Sequence, residues 1–217
     1  MNNVTSFKSL FLATTLVAGC AVAAFAGDEP ASAPNSSPAP LSHGLLGQTY
    51  ASLGYNYSRL DSSSVNANGL EFAMNQGVRT GLDTLLEYTG TRTDDTGVGR
   101  LTEQILDLGA RAYTNYNGIK PYAEAGVGWT WLNAPLGLSD NSFVWFAGVG
   151  AEFQATSELT ITPLVRYSDA TSYHSGGTWD YGVKANYWLT EKLGLTAKIT
   201  RNDSQDMTYG VGINFHF

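Results

Sequence analysis

Three stretches of this chain carry ionisable side chains at even spacing. Asp83 and Glu87 are four residues apart, Glu103, Asp107 and Arg111 follow at intervals of four, and Asp180 and Lys184 repeat the interval. Successive side chains of a strand point to opposite faces, so each set occupies a single face. The turn "NYNGIK" sets one partnership between strands. Its Asn117-Gly118 pair is the two-residue signal of a type I′ hairpin, whose register pairs Tyr116 with Ile119, Arg111 with Glu124 and Tyr113 with Tyr122. Carboxylates facing a guanidinium across a hairpin can fill an enclosed space with salt bridges. Lining a passage instead, they would gate it or select ions by charge.

Other chemistry has little to rest on. His174 is the one histidine among the longer polar stretches, with Asp169 and Asp140 as possible partners and Ser175 beside it. His43 and His216 lie far apart, and Cys20 is the sole cysteine, so no metal site is expected. The glycines alternate along apolar stretches rather than opening a helix, which excludes a phosphate-binding loop and leaves no cofactor to propose. A formal charge of −7 without a basic cluster argues against nucleic acid.

The elements that must carry these residues are strands. Charged residues are only 14% of the chain, against a usual figure of about 25%. Twelve tyrosines, nine phenylalanines, five tryptophans and twenty-four glycines take their place. Ten segments of about ten residues read with period two: 48–58, 69–76, 82–92, 101–114, 120–132, 143–154, 159–168, 178–188, 193–201 and 207–217. Their connections alternate between tight ("GVRTG", "NYNGIK", "ATSE", "LTEK") and mostly longer and more polar ("RLDSSSVNAN", "TDDTGVG", "NAPLGLSDNS", "DATSYHSGGT", "NDSQD"). Short turns at one end and longer loops at the other describe an all-β, closed, up-and-down antiparallel transmembrane barrel. Ten strands are expected, with eight as the alternative. Closure is required because an open edge in lipid leaves unpaired amides.

Parity then sorts the side chains. Glu71, Asp83, Glu87 and Asp107 fall on the more polar face with Arg111 and Glu124. Glu103, Glu152, Arg166, Asp180, Lys184 and Lys198 share that face, which would line a lumen. A basic residue turned to lipid at mid-depth would cost about 2–4 kcal/mol, which accounts for the segregation. Tyr55, Trp129, Trp131, Trp145, Tyr167 and Trp179 point outward near the long-loop ends, and Tyr187 near a short turn. Two interfacial belts are expected from them. Pro163 interrupts a strand, and a local bulge is the expected accommodation.

The N-terminal residues read differently. Residues 1–26 combine one lysine, an apolar run and the small-x-small site "AFA", the pattern of a cleaved secretory signal peptide. The mature protein would then begin at Gly27. In the alternative, "LVAGC" resembles a lipoprotein lipobox with Cys20 as the lipidated residue. Residues 27–47 are rich in Pro, Ser and Ala without periodicity and read as a linker, leaving 48–217 for the barrel.

The segments "KPYAEAGVGW" and "VRYS" and the closing "YGVGINFHF" resemble the small OmpA-like or porin-like outer-membrane barrel families of Gram-negative bacteria. The resemblance covers about residues 48–217. It implies residence in the outer membrane, both barrel ends in the periplasm, outer-membrane lipids as surroundings and the barrel assembly machinery as a partner. It also implies an assembly signal in the last strand, where Tyr209, Val211, Ile213, Phe215 and Phe217 alternate outward. Ten expected strands depart from the eight of the OmpA barrel, and no peptidoglycan-binding domain is expected after the barrel. A structural or interaction role follows, with no enzymatic activity and a lumen plugged by charged residues. The alternatives are a narrow cation-preferring porin and a barrel-embedded hydrolase, omptin-like or lipid A-modifying.

Overall fold

In the computed structural model the chain forms ten antiparallel strands closed into a barrel. The structure describes residues 44–61, 65–95, 97, 99–135, 139–171 and 176–217. Residues 1–26, read as a signal peptide and including Cys20, lie outside them, as do His43, His174 and Ser175. The strands are β1 (Tyr50–Arg59), β2 (Asn66–Arg79), β3 (Leu82–Thr93), β4 (Thr102–Tyr113) and β5 (Ile119–Asn133). They continue as β6 (Ser139–Gln154), β7 (Leu159–Ala170), β8 (Thr178–Trp188), β9 (Leu193–Asn202) and β10 (Met207–His216). Each strand pairs with its neighbours in sequence, and β1 closes on β10 through pairs running from Tyr50–His216 to Arg59–Met207. The closed ten-strand architecture expected from the alternation is the one found.

The β4–β5 turn shows how local sequence sets the register. Asn117 and Gly118 have φ of 51° and 83°, the left-handed pair that a type I′ turn requires. Tyr116 and Ile119 exchange backbone hydrogen bonds of 2.8 and 3.0 Å, which carries the ladder on to Arg111 opposite Glu124.

Three details differ from the sequence reading. First, β2 begins at Asn66 and β6 at Ser139, several residues into stretches read as loops. Ala67 pairs with Thr93 and Asn141 with Trp131, so backbone pairing continues past the point where apolar alternation stops. Second, Arg79 ends β2 opposite Leu82, after a register shift at Gly77. Third, Pro163 causes no bulge. It stays paired with Val183 on β8, while the ladder towards β6 lapses between Gly150–Leu164 and Phe153–Ile161 without a change of register. A missing N–H removes one rung, and the register is kept because the pairing resumes beyond it.

The two faces of the wall invert the pattern of a soluble protein. Leu53, Leu70, Leu108, Val149, Val211 and Ile213 are exposed on the outside. Asn75, Asp83, Glu152, Thr160 and Asn214 are buried on the inside. An apolar band around a polar interior is the arrangement that hydrocarbon surroundings demand.

Candidate functional site: the barrel lumen

Glu71, Glu87, Asp107, Arg111, Glu124, Arg166 and Lys198 line the barrel's internal cavity with Glu103, Glu152, Asp180 and Lys184, and Asp83 is fully buried. Arg111 on β4 meets Glu124 on β5, with Nε at 2.9 Å and Nη2 at 2.6 Å from the same carboxylate oxygen. The guanidinium also lies 4.9 Å from the centre of the Tyr122 ring. These contacts join neighbouring strands.

Two other cations reach beyond their neighbouring strands. Arg166 on β7 reaches β3 and β4, donating from Nη1 to Glu87 at 2.9 Å and from Nη2 to Asp107. Its guanidinium stacks 3.8 Å from the centroid of the Phe146 ring, a cation–π contact in a largely enclosed space. Gly109 and Gly126 make room for that ring, since a Cβ on Gly109 would lie 2.8 Å from Phe146 Cζ. Lys198 on β9 reaches Glu71 on β2, and Asn56 Nδ2 donates to the same carboxylate oxygen at 3.0 Å. Of these braces, Arg166 ties across the interior, whereas the Lys198–Glu71 bridge spans the seam strands β10 and β1. Circular adjacency of strands does not announce them, because they depend on how far the barrel shears.

At the short-turn end the lumen is filled in two ways. A neutral knot joins β8, β9 and β10: Asn214 Nδ2 donates to Asn186 Oδ1 at 2.7 Å and to Thr196 Oγ1 at 2.6 Å. On the other side, residues 44–48 turn into the mouth. Leu45 and Leu46 are buried there, and Leu45 clusters with Tyr50 and Trp188. Leu45 N–H donates to Glu152 at 2.7 Å, Gly47 N–H donates to Asp83 at 2.9 Å, and Lys120 Nζ donates to the Leu46 carbonyl at 3.0 Å. Lys120 also lies 3.6 Å from Glu152. Sequence reasoning left Lys120, the first residue of its 120–132 segment, out of the lumen set, although its parity with Glu124 signals the lumen. It also missed Leu45 and Leu46, which have no periodicity to mark them.

A cavity of about 440 Å³ runs along the lumen from Leu45, Leu46 and Tyr50, past the braces, to Ser58, Thr91, Glu103 and Thr208 towards the long-loop end. Among the described residues Glu103, Asp180 and Lys184 have no ion-pair partner within 4.0 Å. No group of three metal-ligating side chains occurs among the described residues. Asp140 and Asp169 sit on β6 and β7, where Asp140 pairs with Leu132 and Asp169 with Trp145.

The outward aromatics occupy the wall's other face. Trp145, Tyr167 and Trp179 form a row across β6, β7 and β8, with ring centres 5.2 and 4.9 Å apart and planes tilted by 53°. Tyr55, Trp129, Trp131 and Tyr187 are exposed, as are Tyr209, Val211 and Ile213 of β10. Phe215 and Phe217 meet edge to face at 5.4 Å.

No family model matches this sequence, and no curated protein matches it. Solved structures do match in fold. The NanC porin superposes with a TM-score of 0.50 at 11% identity, covering 77% of this chain and all of that one. The translocator domain of the autotransporter NalP from Neisseria meningitidis gives a TM-score of 0.50 at 9% identity, covering 98% of each chain. Neisserial surface protein A matches at a TM-score of 0.44 and 10% identity, over 79% of this chain and 97% of that one. The fold is thus that of the outer-membrane β-barrels, here with ten strands.

Proposed function

We propose that this chain is an integral β-barrel protein of the bacterial outer membrane, with a structural or interaction role and a lumen that is narrowed by its charged side chains and closed at rest. The observation that carries the obstructed lumen is the reach of Arg166 on β7 across the interior to carboxylates on β3 and β4, with Lys198 bridging to Glu71 over the β10–β1 seam. Such braces obstruct solute and resist collapse of a small barrel. Export through the signal peptide and a periplasmic position for both barrel ends complete the reading, supported by the short turns at the end where β1 begins and β10 finishes. Purified protein in planar lipid bilayers is expected to hold a closed baseline. Sustained cation-selective steps from the wild type would overturn closure. They would favour a second reading, a narrow cation-preferring pore, which the 440 Å³ cavity and the unpaired Glu103 and Asp180 support.

The outward row Tyr209, Val211, Ile213, Phe215 and Phe217 is proposed as the signal read by the barrel assembly machinery, and the aromatic belts as contacts with lipid headgroups. Replacing Phe217 with Asp is expected to lower the amount of barrel in outer-membrane fractions while export to the periplasm continues. Equal folded amounts of variant and wild type in those fractions would remove the assembly role.

A further inference from the structure

The lumen cavity runs from the Ser58 and Thr91 hydroxyls at the loop end down to Leu45, Leu46 and Tyr50. The cross-lumen braces narrow this space but do not floor it. Residues 44–48 do. They form a β-turn in which Gln48 N–H donates to the Leu45 carbonyl at 3.3 Å, with Gly47 at φ 84° in the third position. That conformation favours glycine.

We propose that the short-turn mouth is a peptide-binding site, that its occupant is the chain's own turn at residues 44–48, and that release of this turn opens the cup into a passage. The proposal rests on the barrel being closed at rest. The site grips backbone rather than side chains. Glu152 accepts from the N–H groups of Leu45 and Leu46 at 2.7 and 3.4 Å, and Asp83 accepts from Gly47 N–H. Lys120 donates to the Leu46 carbonyl, and Asn75 donates to that of Gln48 at 2.7 Å. These four receptor groups stand on β5, β6, β3 and β2, whereas the turn is joined covalently only to β1.

Departure of the turn leaves no stranded charge. Glu152 keeps Lys120 as its ion-pair partner, and Asp83 at an opened mouth is reached by water, so the mouth exchanges peptide hydrogen bonds for hydration. The cost of leaving is apolar instead, because Leu45 and Leu46 are buried in the mouth and Leu45 packs on Tyr50 and Trp188. The sequence requirement is correspondingly small: glycine at 47, where a Cβ would also lie 3.2 Å from Tyr113 Cζ, and an apolar residue at 45 against Tyr50 and Trp188.

The test uses the full chain in planar bilayers, with folding checked by far-UV circular dichroism and heat-modifiable gel migration. Gly47→Val is expected to lose the closed baseline and show long open steps. A synthetic peptide of residues 40–49 should restore closure, whereas the same peptide with Gly47→Val should not. A folded Gly47→Val protein that stays closed overturns the plug and leaves the closed-barrel reading standing. Open steps from the wild type overturn the closed-barrel reading itself, so the two failures are told apart. Should Gly47→Val not fold, Glu152→Gln combined with Asp83→Asn carries the test by the same criterion, with open steps expected and a closed baseline overturning the proposal.

Discussion

Replacing Arg166 with Met is expected to destabilise the barrel by about 3–5 kcal/mol, the range for removing one partner of a buried ion pair. Methionine keeps much of the side-chain volume against Phe146 but leaves the Glu87 and Asp107 carboxylates facing each other without a cation. Asp107 is the drier of the two and should account for most of the loss, because Glu87 retains some access to water. Denaturant unfolding in detergent micelles or lipid vesicles measures the effect. Adding Glu87→Gln and Asp107→Asn to the Arg166→Met protein should recover much of it, since neutral amides carry no orphaned charge. A loss of only about 0–1 kcal/mol would show that cavity water already solvates the carboxylates as it does at an exposed surface. In that event the crossing arginine is a gate residue and not a brace.

Arg111 and Glu124 should show the second large effect, read as a double-mutant cycle. Arg111→Ala alone leaves a mostly buried Glu124 and also removes the cation from the face of Tyr122. Each single variant is expected to cost several times the median surface pair, and the coupling between them should reach the upper part of the roughly 0.5–3 kcal/mol range for residues in contact. Two independently destabilised variants with no coupling would mean that both donors to one carboxylate oxygen are replaced by water in solution. Conductance provides a second readout. If this pair obstructs the lumen, both variants leak more than the wild type. Unchanged closure would place the obstruction at Arg166 or at the short-turn mouth.

How much of this was legible in the sequence depends on whether the physical signal is local. The ten strands, their order and the inward face of each are local properties of alternation, and the even spacing of Glu103, Asp107 and Arg111 carried them. The pairing of Arg111 with Glu124 was equally local, because Asn117-Gly118 sets it thirteen residues apart. Arg166 and Glu87 are separated by 79 positions, and Lys198 and Glu71 by 127. Nothing in strand order tells which residues meet across the interior, since that follows from shear and tilt. The ends of β2 and β6 were obscured because Asn66, Asn68 and Ser139 continue the backbone pairing without an apolar face to mark them. Pro163 was misjudged for a related reason. A proline whose missing donor faces one neighbour costs a rung on that side only, and the other neighbour holds the register. Leu45 and Leu46 look like two stray apolar residues in a Pro/Ser/Ala-rich stretch until Tyr50 and Trp188 are brought beside them.

The pairing of β1 with β10 has a kinetic consequence. Every other pair in the barrel joins consecutive strands, so hairpins can zip early at little cost in loop entropy. Ring closure is the one step that must bring the two ends of the barrel together, and it is the slowest to become favourable. Lys198 and Glu71 face each other across that seam, with β10 and β1 between them, so their bridge cannot form until the ring is shut. The dehydration of these charges therefore falls at closure rather than during zipping. A barrel caught before that moment keeps its interior wet and its edges open, while one that has passed it must reopen the seam and rehydrate the bridge before it can unravel.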